Sequence, residues 1–278
     1  MVATATQFSY GKSYTDAPAF TKPEGGLLEV AAIKTVAASD PILKGFIFES
    51  LASDMQLDDY TYNPVGTPDP SLGTPTPLNF ISNSQEFTID SVVEFNWIEL
   101  QTMDAQQRAV ERFATAEETK VETEFWTKTL ATAGIAPRTT TALKPAKALG
   151  YLAEWIGTRF GGVPYFHCGR RVANEIAAAQ LTVLPDDGLN AAKIKGGGVL
   201  INGAGYVDKG GPTAQATTAT VDQAWLYVSG TPFLVRGPVV LAPTTPRYQD
   251  LNDDRSVAFR KYLPAIDGPV AAVLVDLS

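Results

Sequence analysis

Hydrophobic and polar positions alternate most regularly from Phe87 to Leu100. Phe87, Ile89, Val93, Phe95 and Trp97 fall on one face, and Thr88, Asp90, Glu94 and Asn96 on the other. That period of two predicts a long, half-buried strand. It leads into Asp104–Leu130, which contains no Gly or Pro and is composed mostly of good helix formers. One helix of about 40 Å is expected there at 1.5 Å per residue. Asp104 can serve as N-cap, with Gln107 at capping-box spacing, and Gly134 and Pro137 supply the stop. Asp104–Arg108 and Glu124–Lys128 are spaced for ion pairs in the favourable orientation. The apolar set (Val110, Phe113, Ala114, Val121, Phe125, Trp126, Leu130) is sparse, and Glu117 interrupts it. A surface helix with one thin packed seam follows from that pattern.

Elsewhere the texture is mixed. Residues 1 to about 25 are polar and aperiodic, an arm ordered only by contact with something else. Two short apolar pieces follow, Leu27–Val36 and Ile42–Leu51, the second read as a strand. Asp54–Glu86 holds Pro64, Pro68, Pro70, Pro75 and Pro77, with Tyr60, Tyr62, Leu72, Leu78, Phe80 and Ile81 interspersed. So long a connection is either functional or disordered. The aromatics favour an excursion packed on a neighbouring subunit over a disordered linker. Beyond it, Ala148–Phe160 and Arg170–Gln180 read as helices. Val163–Cys168, Val199–Ile201, Ala224–Val228, Phe233–Leu241 and Val270–Leu277 read as strands, the last preceded by the segment Arg255–Tyr262. Without a regular βαβ rhythm the fold class is α+β. No internal repeat is visible.

Composition narrows the function. The chain has 278 residues, is 45% hydrophobic, and carries a formal net charge of −8 with a pI near 4.8. That is enough chain for a sizeable core, and an acidic surface with scattered charge argues against direct, tight nucleic-acid binding. One cysteine, Cys168, rules out an intrachain disulfide framework. There is no apolar signal segment at the N-terminus and no apolar run long enough for a membrane span.

Searches for chemistry return refusals. Gly11-Lys12-Ser13 resembles the end of a phosphate loop, but Thr6 stands where the first glycine is required. Gly203-Ala204-Gly205 follows a strand, yet Asp208 occupies the third glycine position of a dinucleotide fingerprint, and a tight hairpin turn is the better reading. Asp250–Asp254 begins like a calcium loop, but Arg255 and Lys261 stand at the glycine and glutamate positions. His167 is the only histidine. Beside Cys168 on a strand it points to the opposite face, so the two read as a buried, satisfied structural pair. With one His and one Cys, zinc sites built on N and S ligands have no ligand set. The carboxylate pairs Asp58–Asp59, Glu117–Glu118, Asp186–Asp187 and Asp253–Asp254 read as solvated. Carboxylate-only acid–base catalysis stays open, with nothing pointing to it. No catalytic residue, cofactor-binding residue, metal ligand or cofactor is assigned.

The order of parts carries a resemblance. N-arm, extended loop, long strand and long acidic helix precede a compact α+β region and a terminal strand. The compact region from YLAEWIGTRFGGVPYFHCGRRVANEIAAA onward contributes to it, as does the closing WLYVSGTPFLVRGP…YQDLNDDRSVAFRKYLPAIDGPVAAVLVDL. Together they resemble the major capsid protein of tailed bacteriophages, the Hong Kong 97-like capsid fold, which encapsulins share.

The resemblance implies an N-terminal arm and first strand at 1–51 and an extended loop at 52–90. A peripheral domain at 91–147 would contain a spine helix at 104–131, followed by an axial domain at 148–235 and peripheral return strands at 236–278. It implies a non-enzymatic subunit of an icosahedral virion shell, assembled in the host cytoplasm into hexamers and pentamers around packaged double-stranded DNA. A separate scaffolding protein and a portal are implied partners, and a decoration protein is a candidate one. No tight specific nucleic-acid contact and no membrane are expected. Many such proteins begin with a long scaffolding segment, for which this chain has no room, so scaffolding is expected to be a separate protein or to have been removed. Others weld subunits through a loop lysine, but no lysine occurs between Lys44 and Lys120. Non-covalent anchoring is therefore expected, with Tyr60, Tyr62, Leu72 and Phe80 as inter-subunit contacts. An encapsulin would use the same fold to hold cargo proteins. A carboxylate-dependent hydrolase or ligand-binding α+β protein would instead be a monomer or small oligomer.

Overall fold

The structure is a computed structural model that describes residues 25–50, 80–96, 102–133, 141–183, 192–207, 210–214, 219–244 and 253–278. The expectations for residues 1–24, for 54–79, and for Gly134 and Pro137 lie outside them.

In chain order the elements are α1 (Leu27–Val30), β1 (Ala32–Thr35), β2 (Ile47–Glu49), β3 (Phe80–Ser82), β4 (Phe87–Asn96), α2 (Thr102–Phe125), α3 (Pro145–Gly157), β5 (Tyr165–Cys168), α4 (Arg170–Ala178), β6 (Thr182–Val183), β7 (Lys193–Ile194), β8 (Val199–Asn202), β9 (Gln223–Arg236), β10 (Val240–Thr244) and β11 (Asp253–Asp276). The expected α+β class is what forms. The long helix begins at Thr102, so Asp104 lies inside its first turn and is not the N-cap. It ends in a π-helical turn, Trp126–Leu130, closed by Ala131 N–H donating to Trp126 O at 2.8 Å. The predicted Glu124–Lys128 pair forms at 3.0 Å.

Two strands organise the sheet. β9 and β11 pair antiparallel from Gln223–Asp276 to Arg236–Tyr262, with a register shift between Asp267 and Val270. β9 was expected as two strands with a turn between them, but it runs unbroken through Ser229-Gly230-Thr231-Pro232. On its other edge β5 pairs at 226–229 and β1, parallel, at 233–236. Pro232 falls in the gap between them, where proline's missing donor is tolerated. The segment before Val270 is likewise part of one strand starting at Asp253, because β4 and β10 flank it on its two edges.

At β5, β9 and the C-terminal half of β11 the sheet is buried on both faces. Trp225, Tyr227, Ala272 and Leu274 face α2 with Phe113, Val121, Phe125 and Trp126. Their neighbours Leu226, Val228, Val273 and Val275 face α3 and α4 with Leu152, Ile156, Val172 and Ile176. This explains the near-continuous apolar runs of β9 and β11: a strand covered on both sides has no polar face to alternate with. Each large side chain buried here stabilises by about 1.5–3 kcal/mol.

Candidate functional site

The two short strands β2 and β3 form a separate antiparallel pair with Ile47 opposite Ser82, Phe48 opposite Ile81 and Glu49 opposite Phe80. One face turns inward. The Phe48 ring lies 6.2 Å from Phe46 and 5.9 Å from Phe233, with Phe46 and Phe233 5.5 Å apart in an edge-to-face contact. One side-chain bond closes the pair on itself, and two more bonds pin it to β11. Phe46 N–H donates to Asn83 Oδ1 at 2.9 Å, Ser84 N–H donates to Pro264 O at 2.7 Å, and Ser50 donates to Asp267. Its other face leaves Ile47 71% and Phe80 60% exposed. Residues 51–79 connect these two strands. Of the expected contact residues Tyr60, Tyr62, Leu72 and Phe80, only Phe80 lies among the described residues, and it presents its ring to solvent.

His167 and Cys168 are both fully buried. They point to opposite faces as expected: Cys168 joins the α3–α4 side, while the His167 ring lies 5.9 Å from that of Phe125 of α2, tilted by 30°. Ser229 Oγ donates its one proton to Gly230 O at 2.7 Å, so at 2.7 Å from His167 Nε2 it accepts. Nε2 therefore carries the ring proton, and Nδ1 accepts from Tyr206 OH at 2.9 Å. Burial pushes the imidazole down to about 3 and the Tyr206 phenol well up. A Ser–His pair suggests a nucleophile with its base. With both side chains at zero exposure, however, no substrate reaches this one, and its chemistry is confined to joining strands β5 and β9 to the loop after β8.

The carboxylates of the long helix overturn the solvated reading. Glu117, Glu118 and Glu122 are all buried, with Glu122 only 1% exposed. The packed seam is real, but it broadens toward the C-terminal half of α2, where the sheet, α1 and the loop after β8 all press on the helix. Glu117 accepts hydrogen bonds from Arg260 and Tyr262 of β11. Glu122 Oε1 accepts from Leu27 N–H at 3.2 Å, and Oε2 from Gly205 N–H at 2.7 Å. Burial above all, with the charge of Glu118 adding to it, raises Glu122 to about 7 against the pull of the two amides and of Arg170. Glu118, Glu122, Phe125 and Thr129 lie at i, i+4, i+7 and i+11 on one helix face and are all buried. Phe125 is the one apolar residue of the four, so the sequence pattern did not announce that face.

Gly203-Ala204-Gly205 was read as a tight hairpin turn, and this is corrected too. β8 and β9 do not pair, since β5 lies between them. The glycines admit the helix instead. A Cβ at Gly203 would lie 2.4 Å from the Glu122 carboxyl carbon, and one at Gly205 would lie 1.9 Å from Thr119 O. Gly26 meets the same wall from the other side, with its Cβ position 1.9 Å from Glu118 Oε1. Among the described residues no group of His, Cys, Asp and Glu is arranged to hold a metal ion, and no helix is long and apolar enough to cross a membrane.

No protein-family model matches the chain, and no curated protein matches it in sequence. Solved structures do. The encapsulin complex of Synechococcus elongatus matches with a TM-score of 0.56 at 11% identity, covering 100% of this chain and 97% of that one. The capsid of an empty GTA particle matches with a TM-score of 0.53 at 12% identity, over 99% and 100% of the two chains. The head of a Helicobacter pylori bacteriophage matches with a TM-score of 0.51 at 8% identity, over 100% and 98%. All three are similar to this chain from end to end. The chain thus has the mixed α+β architecture of shell proteins. Specifically, its fold is the Hong Kong 97-like capsid fold.

Proposed function

We infer that this chain is the subunit of a closed icosahedral shell, and within that class the major capsid protein of a tailed bacteriophage. The observation that carries the reading is the match to shell subunits over 99–100% of this chain and 97–100% of theirs. The exposed Ile47 and Phe80 at the base of the long connection support it, as apolar surface without a partner in the single subunit. Here residues 1–51 act as the arm and 52–90 as the extended loop. Residues 91–147 and 236–278 make the peripheral domain and 148–235 the axial one. Tyr60, Tyr62, Leu72 and Phe80 anchor the loop on a neighbour in hexamers and pentamers. The protein works as a wall component of the virion, not an enzyme. A separate scaffolding protein and a portal would complete its assembly. The net charge of −8 favours the phage reading, because a wall that does not grip phosphate leaves packaged DNA free to move.

An encapsulin is the second reading, because an encapsulin subunit matches this chain over the same full length as the phage and GTA shells do. Electron microscopy of the expressed protein, alone and with its neighbouring gene products, tests both. Shells that need a scaffold and fill with DNA support the phage reading. Small closed shells from this chain alone, carrying a co-purified protein, support the encapsulin. A monomer under every condition overturns both.

A further inference from the structure

Glu118 and Glu122 occupy successive turns of α2, both buried, and both face the backbone at which the described chain begins. Three segments meet there. Gly25-Gly26-Leu27 enters from one side, with Leu27 fully buried and Gly25 O accepting from Asn202 N–H at 3.2 Å. Gly203–Gly205 enters from the other, and α2 forms the floor. Oxygens of both carboxyls crowd Gly26, whose Cβ position is 1.9 Å from Glu118 Oε1 and 2.9 Å from Glu122 Oε1. Glu122 bridges the two segments, holding the Leu27 amide with one oxygen and the Gly205 amide with the other.

We propose that the Glu118–Glu122 pair is a protonation-controlled latch that fastens the root of the N-terminal segment and the loop after β8 onto the long helix. With one proton on the pair, carried by Glu122, the two backbone amides meet a neutral carboxyl and the pair's single negative charge lies on Glu118. When that proton leaves to solvent, two like charges share a site closed to water, and separation of the three segments relieves the repulsion. The groups facing Glu122 set the direction. Glu118 on the same helix and Glu29 of α1, whose Oε2 takes the Gly25 N–H at 2.7 Å, are acidic. Tyr206 and His167 are neutral, and among the described residues the cation acting on Glu122 is Arg170 at the start of α4. The latch therefore opens as the pH rises through neutrality. It works within one subunit, so it stands or falls independently of the shell reading.

Hydrogen exchange by NMR on the full-length subunit tests it. Protection of the Leu27 and Ala31 amides, corrected for intrinsic exchange, should fall about tenfold between about pH 6 and pH 8, while β11 amides keep theirs. In Glu122→Gln the level of protection changes, but its pH dependence disappears. If that variant does not fold, the wild-type glutamate carboxyl carbons still decide, since one of them must titrate near neutrality. Flat wild-type protection, an unchanged tenfold fall in Glu122→Gln, or glutamates that all titrate in the ordinary carboxylate range would each overturn the proposal.

Discussion

Arg260 of β11 and Glu117 of α2 form an ion pair whose side chains are only 15% and 10% exposed, and Tyr262 donates to the same carboxylate oxygen. The residue that interrupts the apolar stripe is thus what fastens the helix to the sheet. Glu117→Ala would leave the guanidinium buried without its counter-charge, a loss of about 3 kcal/mol. Glu117→Gln keeps an acceptor for Tyr262 and should lose less. Urea unfolding of the isolated subunit measures both, and an alanine variant as stable as wild type would show the pair to be incidental.

Two buried groups give stability opposite slopes with pH. His167 is pushed down from 6.5 to about 3, so its contribution is complete above 6.5 and is lost as the pH falls toward 3. Glu122 is pushed up from 4.5 to about 7, so its contribution is complete below 4.5 and is lost as the pH rises through 7. Between 4.5 and 6.5 the slopes oppose each other, and a plateau is expected with a fall on each side. Urea midpoints taken on the plateau and on both flanks check this. Glu122→Gln should flatten the alkaline flank and turn the plateau into a continuous rise with pH up to 6.5.

Two glycine substitutions should have opposite signs. Gly205→Ala drives a Cβ to 1.9 Å from Thr119 O, a helix backbone atom that cannot yield, and should destabilise by about 3 kcal/mol. Gly150, inside α3, has nothing within 4 Å of its Cβ position, and Gly150→Ala should stabilise by roughly 0.5–1 kcal/mol. Thermal unfolding of the two variants side by side reads the difference.

If the chain forms shells, Phe80→Ser combined with Tyr62→Ser should lower shell stability and leave the subunit's own unfolding within about 0.5 kcal/mol of wild type. Burying one such ring is worth roughly 1.5–3 kcal/mol, and each subunit repeats it. Denaturant titration of assembled particles and free subunits separates the two effects. Boiled particles should run as single chains on a gel, and ladders of linked subunits would contradict non-covalent anchoring.

Elements with a strong period were readable in the sequence. The β4 alternation, the long helix, α3, β5 and α4 all lie within a few residues of where the pattern places them. What local pattern hid was set by partners distant in the chain. Nothing near Ser229–Pro232 announces an unbroken strand, because the strand is held by residues 32–35, 165–168 and 262–276. The buried glutamates were misread for the same reason. A carboxylate on a helix is ordinarily solvated, and Glu122 is sealed in by segments 95 residues before it and 83 after it. The isolation of His167 from Cys168 was legible, since it needs only the alternation of a strand. Its partners Tyr206 and Ser229 were not.

The sheet's pairing also sets the tempo of folding. β1 at residues 32–35 has no ladder until 233–236 exist, and β4 at 87–96 has none until 253–262 exist. Closing loops that long is slow, and the rewarding contacts arrive last. A growing chain can therefore offer α2 and α3 early but cannot cover their apolar faces until β9 and β11 have been made. During synthesis those faces are bare, and a holding chaperone would find its target there.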